Sequence, residues 1–279
     1  MSDIQVTALT IYPVKSMKGI ELDRATLTPN GLEHDRRFMV VNENSRFVTQ
    51  RELHRLALVH TRLVADGVEL SLEGHGSVTV PFSSTEGEPI STEVWGTPCE
   101  TLDQGEEISR WLTSALQSDI ALKLVRMAPG FIRPQALPAE LGKENPTVFA
   151  DAAPVLVAGE SSLEELNREL EKRELSPVPM NRFRPNIVVS GLEPFAEHHI
   201  AGLKTANYGL KLCHPCERCV VTTINQDTAE KNPDQQPFRT LREINPVDGK
   251  KPAPAFGQNA VLENGDQQTI ALGDRLSIN

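Results

Sequence analysis

The sequence predicts a mixed, mainly β chain with a few helices. Two observations carry this. Short alternating or β-branched runs recur at close spacing through the first hundred residues, and two amphipathic stripes at helical spacing interrupt them. Twenty prolines add many turns and loops.

Taken in order, Ile4-Gln5-Val6-Thr7-Ala8 alternates and reads as the first strand. Tyr12-Pro13 ends it in a proline turn. Phe38-Met39-Val40-Val41, the turn residues Asn42 to Ser45, and Arg46-Phe47-Val48-Thr49 read as a hairpin over 38–49. Val68 to Leu72 and Ser77 to Val80 alternate, and Glu93-Val94-Trp95 precedes a Gly96-Thr97-Pro98 turn. Strands this short and this close predict an antiparallel meander or barrel. Ile108, Trp111, Leu112, Ala115 and Leu116 share one helical face. Ser162-Leu163-Glu164-Glu165 reads as a capping box, with Leu163, Leu166 and Leu170 behind it. Asn186 to Val189 and Val220 to Ile224 read as strands. The polar, proline-rich stretch Lys231 to Pro254 reads as a long loop with a helical turn near Thr240-Leu241-Arg242. The shift from strand-rich to mixed character places a domain boundary near residue 120, giving a β-rich domain over 1–120 and a second over 121–279.

Length and composition narrow the function classes. The 279 residues allow one large domain or two ordinary ones. A net charge of −10, from 28 basic and 38 acidic residues, argues against a general binder of nucleic acid or anionic membranes. No stretch approaches the roughly 18 apolar residues of a membrane span, and no secretory signal opens the chain. Four cysteines do not make a disulfide framework at this length. The expectation is a soluble, cytoplasmic protein of a reducing compartment.

Three of those four cysteines fall within Cys213-His214-Pro215-Cys216-Glu217-Arg218-Cys219. Thiolates bind soft metals, and Arg218 supplies an adjacent cation. Structural zinc needs a fourth ligand, for which Cys99 is a distant candidate. An iron–sulfur cluster also needs a fourth thiolate, and neither common spacing is completed. A single-thiolate metal site needs only one cysteine, and Cys219, at the mouth of the run 220–224, is best placed. Inert thiols remain the plain alternative.

Other segments offer anion-binding chemistry. Tyr12-Pro13-Val14-Lys15-Ser16-Met17-Lys18-Gly19 presents a lysine and a hydroxyl after a strand, without P-loop spacing. His34-Asp35-Arg36-Arg37-Phe38 sets two arginines against a strand, where neighbours point to opposite faces. In Asn181-Arg182-Phe183-Arg184-Pro185-Asn186, Arg184 and Asn186 can share a face, suited to an anion and a heterocycle edge. Solvated turns and salt bridges to the many acids are the plain alternatives.

Together these segments resemble the MOSC family, named for the C-terminal domain of molybdenum cofactor sulfurase, and within it the mitochondrial amidoxime-reducing components and their bacterial relatives. The likeness runs through residues 12–19, 35–38, 183–187, Cys216 to Thr223, Phe256-Gly257-Gln258-Asn259 and Gly273-Asp274. It implies a β-barrel-like N-terminal MOSC domain, then the MOSC domain proper, and a pterin molybdenum cofactor. Cys219 matches the molybdenum-ligating, catalytic thiolate. Lys15, Ser16, Arg36, Arg184, Asn186, Glu217 and Arg218 match cofactor-binding positions. Asn259 stands where mitochondrial members carry an aromatic residue. Ala152 and Ala153 stand where they carry a hydroxyl residue, so contacts there run through backbone.

The implied activity is reduction of small N-hydroxylated compounds: hydroxylamines, amidoximes and N-hydroxylated bases. A cofactor-binding or sulfur-carrier module without its own turnover is the alternative, and a thiol-based zinc protein is a third. No cysteine follows Cys219, so the sequence predicts no fused iron–sulfur domain and a separate electron donor, a flavoprotein or ferredoxin.

Overall fold

The computed structural model describes residues 3–84, 86–247 and 252–279. Its centre is a closed seven-strand barrel. In order around the barrel, Val155–Gly159 neighbours Ile187–Ser190, then Ile4–Ile11, Arg275–Ile278, Gly202–Lys204, Gly209–Glu217 and Ala253–Asn264, which pairs back to Val155–Gly159. The neighbours Val155–Gly159 and Ile187–Ser190 run parallel; the other pairs are antiparallel.

The first strand thus sits among strands from the second half of the chain. Ile4, Val6, Leu9 and Ile11 are all buried in the barrel core, although Val6 and Leu9 are an odd number of residues apart. A bulge between Val6 and Ala8 corrects the phase, because one extra residue on one strand flips the alternation. Val157, Ile187, Val189, Leu203, Leu210 and Leu276 meet them from the other strands.

A second core lies beside the barrel. Strand Phe38–Asn42 pairs with Leu122–Met127, which continues through Thr97–Asp103 to Pro89–Val94. A meander of His60–Val64, Gly67–Ser71 and Ser77–Pro81 packs nearby. Helix Glu106–Ala115 buries Ile108 and Leu112 into this core, as its stripe predicts. Glu106 and Glu107 lie in its first turn, where carboxylates complement the helix dipole. The chain is mainly β, as expected.

Several local expectations need correction. Val220–Thr223 is a 3₁₀ turn, not a strand. The hydroxyls of Thr222 and Thr223 donate to the carbonyls of Cys219 and Val220 at 3.0 and 2.7 Å, offering the backbone a local alternative to a ladder. Ser162 is no capping residue. Helix Glu160–Glu171 starts directly after Gly159, and the buried Ser162 hydroxyl binds Glu197 and accepts from the Phe195 amide. The hairpin over 38–49 has only one regular limb: beyond the Asn42 turn, the return pairs through a Val41–Phe47 bridge. In the stretch 231–254 the helical turn is a full helix, Phe238–Ile244, and residues 248–251 lie outside the described residues.

Gly31 packs against the backbone that leads into barrel strand Val155–Gly159. Its φ is +105°, and a Cβ there would stand 2.3 Å from the Pro154 carbonyl oxygen. Gly76 also has positive φ, +68°, but open space around it. Gly76→Ala is expected to cost about 1 kcal/mol from backbone strain alone. Gly31→Ala should cost about 2 kcal/mol or more, since strain and collision add. Urea unfolding of both variants checks this; equal losses would mean that the Pro154 contact yields freely.

Candidate functional site

The barrel's first strand delivers its exit turn to the junction of the two cores. Two guanidinium groups lie over the buried Tyr12 ring, with Arg36 Cζ 4.3 Å and Arg184 Cζ 4.1 Å from its centroid. Cations favour the negative face of an aromatic ring, so one tyrosine organises both arginines. Burial raises the Tyr12 pKa even against these cations, so the ring remains a neutral phenol. Its hydroxyl donates to the Pro185 carbonyl at 3.2 Å.

Arg36 and Arg184 are placed by strained backbone rather than by strands. Their φ values are +45° and +55°. Arg36 Nη1 donates to buried Asp35 at 2.6 Å, and Asp35 also accepts the Tyr12 amide at 2.7 Å. Arg36 Nη2 reaches the Arg184 carbonyl at 3.3 Å. Arg37 faces a different cavity from Arg36, as the sequence predicts, although Arg36 lies in the turn before the strand.

Lys15 is 5 % exposed and donates to the Phe149 carbonyl at 2.8 Å and to Asp151 Oδ1 at 2.6 Å. Burial pulls the Lys15 pKa down, and Asp151 opposes that pull. Desolvation pushes the Asp151 carboxyl up, but Lys15 and the Trp95 indole N–H hold it well below the usual carboxylate range.

The thiol segment ends the long strand Gly209–Glu217. Bulges between Leu212 and His214 and between Pro215 and Glu217 break the alternation. They turn His214, Cys216 and Glu217 toward one cavity. Cys213 packs instead against Leu141, Ala153 and Val261, and burial raises its pKa. Cys99 is buried in the neighbouring core, among Val94, Val125 and Phe149. Among the described residues no three His, Cys, Asp or Glu groups form a metal cluster.

Cys219 follows the strand and precedes the 3₁₀ turn. The cation facing its sulfur comes from far along the chain: Arg51 Nη2 donates to Cys219 Sγ at 3.2 Å. Arg218 instead donates to Cys216 Sγ at 2.9 Å and to the Phe183 carbonyl at 2.7 Å. Its Nε is buried without an acceptor among the described residues.

These elements enclose a cavity of about 400 Å³, within the roughly 300–1,000 Å³ span of small-ligand sites. The eleven residues that the family resemblance assigns to the site all line it: Lys15, Ser16, Arg36, Ala152, Ala153, Arg184, Asn186, Glu217, Arg218, Cys219 and Asn259. Five cations line it against two carboxylates, Asp151 and Glu217. Lys15 pairs with Asp151 and Arg36 with Asp35; among the described residues, Arg51, Arg184 and Arg218 form no salt bridge. Desolvation pulls Arg184 down to about 10.

Asn186 differs in what it offers. It is 2 % exposed, its Oδ1 accepts the Leu156 amide at 3.1 Å, and its Nδ2 donates to the Thr10 carbonyl at 3.1 Å. Its amide bolts two barrel strands together instead of presenting a free edge. The Asn259 amide lies 3.4 Å from His214 Nε2, while His214 Nδ1 meets the Pro215 carbonyl at 2.8 Å.

Sequence reasoning missed Arg51, Trp95 and Asp151. They form a chain: Arg51 Cζ stacks 4.6 Å from the Trp95 centroid, and Trp95 Nε1 donates to Asp151 at 2.8 Å. Nothing in the flanking residues marks them, because the contacts join segments remote in the chain. The one available signal is Trp95 as an aromatic at a turn tip, 47 % exposed.

The site and barrel define a class. The description "MOSC N-terminal beta barrel domain" matches residues 3–119, and "MOSC domain" matches residues 144–277. The chain belongs to the MOSC-domain family. It is 34% identical to human mitochondrial amidoxime-reducing component 1 over 96% of this chain and 81% of that protein. The mouse protein of that name is 33% identical over 96% and 80%. A molybdenum cofactor sulfurase of Drosophila grimshawi is 30% identical over 98% of this chain but only 34% of its own length.

The Lys15–Asp151 pair gives a pH signature. A carboxylate whose folded pKa is depressed stabilises the fold above the usual carboxylate range and loses that contribution as pH falls through its folded value. Asp151→Asn should therefore lower the urea midpoint of cofactor-free protein at pH 7. The gap to the native chain should narrow below about pH 4. A gap that persists unchanged at pH 3 would assign the effect to packing.

Proposed function

We propose that this chain is a molybdenum-cofactor-dependent reductase of N-hydroxylated compounds, namely hydroxylamines, amidoximes and N-hydroxylated bases. One observation carries the proposal. A part-buried thiol, Cys219, shares a cavity with five cations, three of which have no carboxylate partner among the described residues. Relatives named amidoxime-reducing components, matching over most of their length, support the substrate class. A matching molybdenum cofactor sulfurase supports the cofactor.

The residues fit such a group. A thiolate is a soft ligand suited to a metal whose other positions are filled by a cofactor's own sulfurs and oxo groups. Cations removed from water and lacking counter-charges call for an anion. The unmatched Nε of Arg218 and the unpaired guanidinium of Arg184 are such groups.

When bound, the cofactor supplies the two-electron chemistry that removes oxygen from nitrogen. Cys219 would ligate the metal, with Arg51 orienting its sulfur. Lys15, Ser16, Arg36, Arg184 and Arg218 would hold the anionic remainder. Ala152 and Ala153 would contribute backbone only, and Asn186 would keep the wall in register. Glu217 and Asn259 line the same cavity. Electrons would come from a separate flavoprotein or ferredoxin, in the cytoplasm.

The decisive experiment measures molybdenum and pterin in protein made by a host that synthesises the cofactor. Cys219→Ala should lose activity and most of its molybdenum, whereas Cys213→Ala, half-buried and outside the cavity lining, should keep both. Arg184→Ala should lower pterin occupancy about tenfold or more under limiting cofactor, the equivalent of one charge-assisted contact of roughly 1.5–3 kcal/mol. Full molybdenum and activity in Cys219→Ala would overturn the assignment. Bound cofactor without turnover of any hydroxylamine would favour a carrier module.

Electron supply is tested separately. The purified chain should reduce a hydroxylamine with a chemical reductant, but not with NADH alone. Sustained NADH oxidation by the isolated chain would remove the need for a donor protein.

A further inference from the structure

A second cavity, of about 280 Å³, lies on the far side of the segment that carries Lys15's partners. Thr147 and Val148 line this second cavity, while Phe149 to Ala153 line the first. Its wall holds three arginines, Arg37, Arg126 and Arg133, and no carboxylate. None of the three forms a salt bridge among the described residues of this acidic protein. Like charges gathered without counter-ions are costly, and more so when partly desolvated.

Two buried groups in the same wall are unsatisfied. Arg133 is 1 % exposed. Its Nη1 donates to the Val148 and Ala150 carbonyls at 3.2 and 2.7 Å, but Nε and Nη2 find no acceptor. Thr147, 2 % exposed, has an unpartnered hydroxyl. Buried polar groups are nearly always paired, so three orphans beside one cavity need an explanation. Desolvation lowers the Arg126 pKa and the nearby Arg37 adds to that lowering, while Arg126 Nη1 donates to the Phe82 and Ser84 carbonyls. Burial lowers Arg133 too, but the charges it feels are Cys99 and Asp151, on the side of the first cavity. Phe82 and Phe131 close the cavity with apolar surface.

We propose that this cavity binds a small phosphate-bearing ligand, its oxyanion held by Arg37 and Arg126 with the Thr147 hydroxyl as a further donor. Guanidinium groups recognise phosphate oxygens through paired N–H donors, and two of them match a dianion. The volume accepts inorganic phosphate or a phosphomonoester of a few carbons. The site is separate from the Cys219 cavity and does not depend on its proposed cofactor.

Binding can be measured by isothermal titration of the purified protein, with its native cofactor complement, against inorganic phosphate and glycerol 3-phosphate at constant ionic strength. Arg37 is the principal test position, because it makes no hydrogen bond or salt bridge among the described residues whose loss would unsettle the fold. Arg37→Gln and Arg126→Gln should each weaken phosphate about tenfold or more. Arg184→Gln, in the other cavity, should leave it unchanged. Tighter binding of glycerol 3-phosphate than of phosphate would identify an organic ester as the ligand; equal or weaker binding would identify the free ion. No phosphate binding by the native chain would overturn the proposal. So would equal binding by the native chain and Arg37→Gln, or a loss of binding only in Arg184→Gln.

Discussion

The fold depends on the insertion of Ile4–Ile11 between Ile187–Ser190 and Arg275–Ile278. That strand closes a barrel otherwise drawn from residues beyond 154, and its far end becomes the Tyr12 to Ser16 turn. The buried ring of Tyr12 then fixes two arginines from different parts of the chain. Asn186 secures the same junction by joining Thr10 to Leu156. A rigid barrel thereby sets positions for side chains whose own backbones are irregular. Functional groups on loops gain precision only when a scaffold over-determines them.

Electrostatics divides the molecule by place rather than by total. The chain carries a net charge of −10, yet its larger cavity is lined by five cations and two carboxylates. What a ligand meets is the local field, strengthened where water is excluded. Asp151 tempers that field at one end by pairing with Lys15. At the other end Arg51 meets the Cys219 sulfur directly. The Trp95 indole bridges Arg51 and Asp151, so the two ends are connected through side chains from four separate segments.

Much of this was legible in the residues. Alternation in 4–8 and 68–80 and the stripe beginning at Ile108 gave the strands and helix where they stand. The clustered thiols and the basic turns contribute to one cavity through Cys216, Cys219, Lys15, Ser16, Arg36, Arg184 and Arg218, whereas Cys213 packs beside Val261 and Arg37 faces a second cavity. What failed did so for definable reasons. Val220-Val221-Thr222-Thr223 has strand composition, but its threonine hydroxyls turn back on the preceding carbonyls. Ser162 has the capping signature, yet a distant carboxylate, Glu197, claims its hydroxyl. Arg218 is next to Cys219 in sequence but bonds Cys216, because bulges in Gly209–Glu217 re-aim the side chains. The contacts of Arg51 and Trp95 are products of tertiary structure and leave no local trace.

The placement of Ile4–Ile11 also bears on how the molecule is made. A ribosome adds roughly 5–20 residues per second, so about 10–60 s separate the emergence of this strand from that of residues 275–278. During that interval only the Ile4–Gln5 end of one edge lacks its partner, because Leu9–Ile11 on that edge can pair with the nearby Ile20–Leu22, and the other edge can pair once residues 187–190 appear. The strand is bulged, and its exit turn contains Pro13. Bulged and proline-flanked edges resist pairing with other chains. The same irregularities that aim Lys15 and Ser16 in the finished barrel therefore guard the nascent chain against aggregation while it waits.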